Sequence, residues 1–233
     1  MYRLVVNLVL RPWLSIAFVI LTACACAGGA SSPGELLGKQ SSTTAATRST
    51  REDIPAGEYT TKNFEPTLSF TVDEGWQLGI PDLRYVVDIE RGISSGIDFM
   101  NVRYVYDANN PLHSESNPAP DDMVAWLQQH PYLDAERPQP VVIGGVEGKQ
   151  FDVSVPKMPE ESPPGCGGPC VPLFELAPGL SFAMAEGEKE RFIVLEGVEG
   201  KTVTIAAGAP VEEFEAFIPK AQKVLKSVEW EGA

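Results

Sequence analysis

Between Tyr59 and Trp230 apolar residues recur in short alternating runs, each closed by a turn carrying glycine, proline or aspartate. That punctuation constrains the chain to hairpins more tightly than any single motif does. Leu68, Phe70 and Val72 alternate with Thr67, Ser69 and Thr71, the period of a strand with one buried face. Asp73-Glu74-Gly75 turns the chain before Trp76. Leu83 to Ile89 and Gly96 to Tyr106 are rich in β-branched and aromatic residues, and Arg91 to Ser95 is predicted to join them as a hairpin. Val141 to Ile143 with Gln150 to Val155, and Phe192 to Leu195 with Thr202 to Ala206, read as two further pairs. The string Gly-Val-Glu-Gly-Lys stands in both, at 145–149 and 197–201. Neither copy opens a helix or has phosphate-loop spacing, so tight turns that use glycine for positive φ account for the repeat.

Helical spacing appears twice. Asp121 and Asp122 favour a helix N-terminus, and Met123, Trp126, Leu127 and His130 fall on one face before Pro131 stops the helix. Phe214, Phe217, Ile218, Ala221, Leu225 and Val228 form a longer apolar stripe. Acids lead that segment and lysines close it, and Pro219 inside it predicts a kink. Mostly antiparallel hairpins with a mid-chain and a terminal helix predict an α+β domain over 58–233, its sheet covered by helices.

The N-terminus has a different character. Arg3 and Arg11 precede an apolar run from Trp13 to Leu21, half of what a bilayer span needs, and Thr22-Ala23-Cys24 follows. Leu21-Thr22-Ala23-Cys24 resembles a bacterial lipobox. This implies a signal peptide over 1–23, acyl chains on Cys24 that anchor the protein to a membrane, and an extracytoplasmic location on a bacterial cell envelope. From 24 to 57 the composition shifts to Gly, Ser, Thr and Ala, which predicts a disordered tether. Loss of 1–23 removes two arginines and no acids, taking the net charge from −14 to −16. Such a chain repels nucleic acid, so none is expected as a partner.

The spacing of Tyr59, Phe64, Pro66, Leu68, Phe70 and Trp76, with Val124-Ala125-Trp126-Leu127 and the final helix, resembles a set of uncharacterised bacterial lipoproteins. More distantly it is similar to the PsbP-type α/β/α fold. The resemblance implies a small scaffold that binds other proteins or ligands, and it carries no catalytic residue.

Candidate chemistry is sparse. Gly92-Ile93-Ser94-Ser95-Gly96 matches the G-x-S-x-G nucleophile pattern, with Asp121, His113 and His130 downstream, and an envelope serine hydrolase through Ser94 is the alternative reading. That pattern requires a helix after the serine, whereas strand-like alternation follows, so no catalytic residue is assigned. His113 and His130 with the distant cysteines give no zinc spacing, and Glu186, Glu188 and Glu190 read as a solvated edge. No cofactor or metal is expected. Cys166 and Cys170, with three residues between them, read as a structural disulfide in an oxidising compartment; Cys26 is left over. Six prolines between Pro156 and Pro172 predict a surface loop, offered as a contact region. The functional expectation is a membrane-anchored binding or scaffolding module with a protein partner. A carrier of an apolar small ligand between sheet and helix is a further alternative.

Overall fold

The computed structural model describes residues 4–6, 52–110, 115–160 and 168–231. Cys24, Cys26, His113 and Cys166 lie outside them, as does the expected tether up to residue 51. In chain order the elements are β1 (Leu4–Val6), β2 (Glu52–Asp53), β3 (Gly57–Thr60), β4 (Leu68–Val72), β5 (Gln77–Leu78), β6 (Val86–Glu90), β7 (Gly96–Met100), β8 (Tyr104–Tyr106), β9 (Ser116–Pro118), α1 (Met123–Gln128), β10 (Asp134–Ala135), β11 (Gln139–Ile143), β12 (Val146–Ser154), β13 (Cys170–Ala177), β14 (Leu180–Ala185), β15 (Glu188–Val198), β16 (Lys201–Pro210), α2 (Val211–Leu225) and β17 (Glu229–Trp230).

The strands form three sheets. The largest runs β10-β12-β15-β16-β7-β6-β5-β2, with β11 also on β12; the second runs β1-β14-β13-β8-β9; the third is β17-β4-β3. All recorded pairings are antiparallel. Glu52–Asp53 pairs with β5 and Ile54 is buried, so the fold takes in residues that composition alone assigns to the tether.

Strand accounts for 49% and helix for 12%, which overturns the expected α+β, PsbP-like α/β/α sandwich. The reason lies in how the two faces of the large sheet are covered. On one face Ile97, Phe99, Ile193, Leu195, Val203 and Ile205 pack with Phe214, Phe217, Ala221 and Leu225 of α2, and with Leu68 and Phe70 of β4. On the other face Phe151, Phe192 and Val194 pack with Leu173, Phe174, Phe182 and Met184, which come from a second sheet. A helix was expected there, but α1 has six residues and contributes Met123 and Leu127 at the margin. Asp122 caps it by accepting the Ala125 N–H at 2.8 Å, and it ends before His130. Helix α2 runs from Val211 to Leu225 with Pro219 inside it.

Two further expectations change. The proline-rich stretch is not loop to its end: β13 starts at Cys170, Val171 is fully buried, and Pro172 sits beside a register shift between Pro172 and Phe174. A bulge of this kind is where a sheet tolerates a residue without a donor. Glu188 and Glu190 are 3% and 0% exposed rather than solvated, because β15 is an interior strand covered on both faces. Glu188 Oε2 accepts the Ala185 N–H at 2.8 Å, closing the turn before β15.

The repeated pentapeptide is not a structural repeat. Gly144 and Gly145, with φ of 56° and 80°, form the two-residue turn between β11 and β12; in the second copy that role falls to Glu199 and Gly200, at 49° and 76°. Gly148 instead lies inside β12, where a Cβ would meet the Val194 carbonyl.

Gly144 and Gly145 share a positive φ but differ in surroundings: a Cβ on Gly144 would lie 2.6 Å from the Trp230 indole, and one on Gly145 would meet nothing within 4 Å. Gly145→Ala should cost about 1 kcal/mol from backbone strain alone. Gly144→Ala should cost about 1 kcal/mol more, because displacing Trp230 threatens its 3.1 Å bond to the Ile143 carbonyl. Urea unfolding of the two variants reads the difference, and equal losses would refute the role given to Trp230.

Candidate functional site

The structure first sorts the residues that the sequence singled out. Ser94 lies in the turn Arg91–Ser95 joining β6 to β7, closed by the Arg91 N–H donating to the Ser95 carbonyl at 2.8 Å. A strand follows the serine, so the strand-turn-helix elbow that exposes a nucleophile is not formed. Asp121 is exposed beside the α1 cap. His130 is 4% exposed, packed against Trp126 at 5.1 Å and Tyr132 at 6.2 Å between ring centroids, and Trp126 in turn meets Phe174. Its Nδ1 accepts the Tyr132 N–H at 3.4 Å. His130, just past the end of α1, is therefore buried against the second core on the face its spacing predicts, and burial pushes its pKa down to about 4. Cys170 is disulfide-bonded, 5% exposed, and paired with Ala185 in the sheet. Among the described residues no group of His, Cys, Asp or Glu is placed to hold a metal ion.

Two hollows flank the β11–β12 hairpin. One of about 530 Å³ is lined by Val124, Pro140, Val141, Lys149, Val194 and Glu196; the other, of about 560 Å³, lies against Leu225, Val228 and Trp230. Both include Val142, which is 61% exposed, so they are surface grooves beside the hairpin. The first sets Val124 of α1 against β11, β12 and β15, and the second sets Leu225 of α2 against the hairpin turn.

The most built surface is elsewhere, where the chain passes from the large sheet to the second one. Asp82 is its organiser. Its carboxylate accepts the successive backbone N–H groups of Lys62, Asn63 and Phe64, and the Asn63 side chain donates to the Asp82 carbonyl at 3.0 Å. Three converging amides suit one carboxylate and fix the loop 62–66 against 82–85. The Glu65 N–H then donates to the Arg84 carbonyl, Asn101 Nδ2 to the Glu65 carbonyl, and the Asn101 N–H to the Tyr85 carbonyl, each at 3.0 Å. Three segments distant in sequence are tied into one platform.

On that platform cations and rings alternate in a ladder. Arg84 lies 5.5 Å from the centroid of Tyr85; Arg103 lies 5.1 Å from the same ring and 5.6 Å from Tyr104. Arg103 Nη1 donates to the Tyr85 hydroxyl at 2.9 Å. Arg84 Nη2 donates to Glu65 at 3.0 Å, and Lys201, the first residue of β16, is 3.6 Å from the same carboxylate. The Arg84 hydrogen bond is the main cause holding Glu65 below the usual carboxylate range, with the charges of Arg84 and Lys201 adding to it. Arg103 forms no ion pair among the described residues, Tyr104 is 39% exposed and Leu83 37%. A guanidinium held over rings keeps its charge while losing little freedom on contact, and Arg and Tyr are the side chains that dominate binding surfaces. Such a surface is suited to hold a carboxylate, with Glu65 already occupying one such position.

Sequence reasoning missed all four ladder residues. The available signal was a repeated dipeptide, Arg84-Tyr85 and Arg103-Tyr104, in a chain with nearly two acids for each base. The sequence matches no protein-family model and no curated protein.

His130 gives a pH dependence with a defined sign. Its folded pKa is depressed, so the unfolded chain binds the proton more readily. Its contribution is complete above pH ~6.5 and is lost as pH falls toward 4, by on the order of 3 kcal/mol. Denaturant unfolding at pH 7 and 4.5 should show wild type losing about 2–3 kcal/mol more than His130→Phe between the two. A variant that keeps the full wild-type loss would show that other groups cause it.

Proposed function

We propose that this chain is a lipid-anchored extracytoplasmic module of a bacterial envelope that binds another protein, and that the Arg84–Tyr85–Arg103–Tyr104 surface is where the partner touches. The observation that carries this reading is the ladder itself. A chain of net charge −14 keeps two arginines stacked with tyrosines on a hydrogen-bonded platform, one of them without a carboxylate of its own among the described residues. Exposed cation–π contacts contribute little to stability, so their loss costs the fold little, while their capacity for contact is large. The anchor rests on the sequence Leu21-Thr22-Ala23-Cys24 and on the resemblance to bacterial lipoproteins, and the partner class rests on the carboxylate chemistry that Glu65 displays. The module presents a positive face to an acidic partner and a negative remainder to everything else, which favours the oriented encounter.

Two experiments test the two halves. Cys24→Ser should lose lipid labelling and leave the detergent phase, and a variant that still partitions like wild type would sink the anchor. Arg84→Ala with Arg103→Ala should lower the yield of proteins cross-linked in cells at least tenfold while the melting temperature moves by only a few degrees. An unchanged cross-linking pattern from that folded variant would move the contact surface elsewhere, with the groove beside Val142 as the next place to probe.

A further inference from the structure

Most sheet edges in this fold carry a device that discourages a further strand. Pro140 interrupts β11 and Pro118 ends β9; β2 is the two-residue pair Glu52–Asp53; β10 begins with Asp134, β17 with Glu229, and β3 carries Glu58. Charges, prolines and short length are the usual protections of an edge. Strand β14 has none of them. Leu180-Ser181-Phe182-Ala183-Met184-Ala185 holds no charge and no proline over six residues, and its irregularities fall on the β13 side of the pairing. What lies along its outer side is Leu4–Val6, antiparallel, with Leu4 opposite Phe182, Val5 opposite Ser181 and Val6 opposite Leu180.

Those three residues precede Cys24. If the anchor reading holds, export removes them, and the outer side of β14 is left open in the processed protein. The orientation of its hydrogen-bonding groups follows from its inner partner. Pro172 stands opposite Ala183 and has no N–H to exchange, so this pair belongs to the non-hydrogen-bonded class, and Ala183 turns its own N–H and C=O outward. By alternation Ser181 does the same, which places Val5 opposite a residue able to exchange both bonds with it. On the inner side Ser181 is held by the Tyr106 hydroxyl at 2.6 Å, so the acceptor strand is fixed before anything docks.

We infer that β14 is a strand-acceptor edge in the processed lipoprotein, and that its occupant is an extended, uncharged, β-branched segment of another exported protein, of the kind Leu4-Val5-Val6 exemplifies. Main-chain bonds from Ser181 and Ala183 supply the attachment, and the absence of charge along β14 selects an uncharged segment. This rests on removal of residues 1–23.

The test uses the lipoprotein purified from membranes in detergent, with its N-terminus determined by intact mass. A synthetic peptide of Leu4–Leu8, acetylated and amidated so that it carries no charge, should bind saturably and slow amide exchange at Ser181 and Ala183 at least tenfold. The same peptide N-methylated at Val5 should bind at least tenfold more weakly, and this comparison leaves the protein unaltered. Ala183→Pro, which removes an outward N–H and no bond to β13, should weaken binding of the unmodified peptide to the same degree. Equal binding of the two peptides, or no binding to a processed protein, overturns the inference alone. A processed protein that sediments as a dimer with those amides already protected overturns the choice of occupant in favour of a second copy. An exported protein that still carries Leu4–Val6 overturns both this inference and the anchor reading, and the mass measurement tells the two failures apart.

Discussion

Strands β15 and β16 are apolar on both faces, and strands of that kind need two covers. Ile193, Leu195, Val203, Ile205 and Ala207 belong to one core, while Phe192, Val194 and Ala206 belong to the other. Leaving one such large side chain in water costs about 1.5–3 kcal/mol, which is a sizeable share of the net stability of a domain. One cover is α2, whose charged neighbours are drawn into the same packing: Arg191 forms a two-pronged pair with Asp152 at 2.6 and 2.9 Å, and Lys189 and Arg191 lie over the Phe214 ring. The other cover must come from elsewhere in the chain, and β13 and β14 supply it with Phe174 and Phe182 stacked 5.6 Å apart. Because the second cover is a sheet, the chain has to pass between sheets. One such passage lies between β7 and β8, at 101–103, where the arginine–tyrosine surface is built.

What the sequence showed follows from the same constraint. Strand β4 alternates because Leu68, Phe70 and Val72 are buried and Thr71 is exposed, and the stripe on α2 is legible because its other face meets water. Interior strands erase that contrast: all five residues of β7 are buried, as are five of the six in β14, so neither periodicity nor polarity marks a face. Glu188 and Glu190 misled for a related reason, since acids alternating with Lys189 and Arg191 read as a wet edge when the strand is covered on both sides. Pro172 misled because a proline in an interior strand is excluded only where the ladder is regular. The candidate surface was hidden more deeply. Its residues lie in loops and strand ends at 65, 84–85, 103–104 and 201, and only long-range pairing brings them together, so no window of sequence contains it.

The tyrosines of the arginine–tyrosine surface also explain why Arg103 forms no ion pair among the described residues of a chain so rich in acids. A free arginine on an acidic surface finds a carboxylate, as Arg91 does at Asp73, where its hydrogen bond holds the acid down to about 2. Arg103 is kept from that course by its contacts with the Tyr85 and Tyr104 rings and by the hydrogen bond to the Tyr85 hydroxyl. The backbone beneath it is fixed by Asn101 and by Ala119, whose N–H donates to the Arg103 carbonyl at 2.8 Å. Rings and hydrogen bonds restrain the guanidinium without neutralising it, which is the condition under which a surface cation contributes to recognition rather than to the fold.

The arginine–tyrosine surface and the β14 edge are carried by the same sheet. Tyr104 opens β8, and β13 lies between β8 and β14, so the two are separated by two strand spacings, roughly 10 Å. The Tyr106 hydroxyl reaches Ser181 at 2.6 Å and couples β8 and β14 through their side chains as well as through β13. Ser181 is also the residue whose outward groups would hold an added strand. Any shift of β14 on docking must therefore move Tyr106 or break its bond. Because Tyr106 is two residues from Tyr104 on a three-residue strand, that shift would be felt at the arginines and tyrosines. A rigid sheet whose inner face is packed with Phe174, Phe182 and Leu173 resists such movement, which ties the geometry of one surface to the integrity of the other.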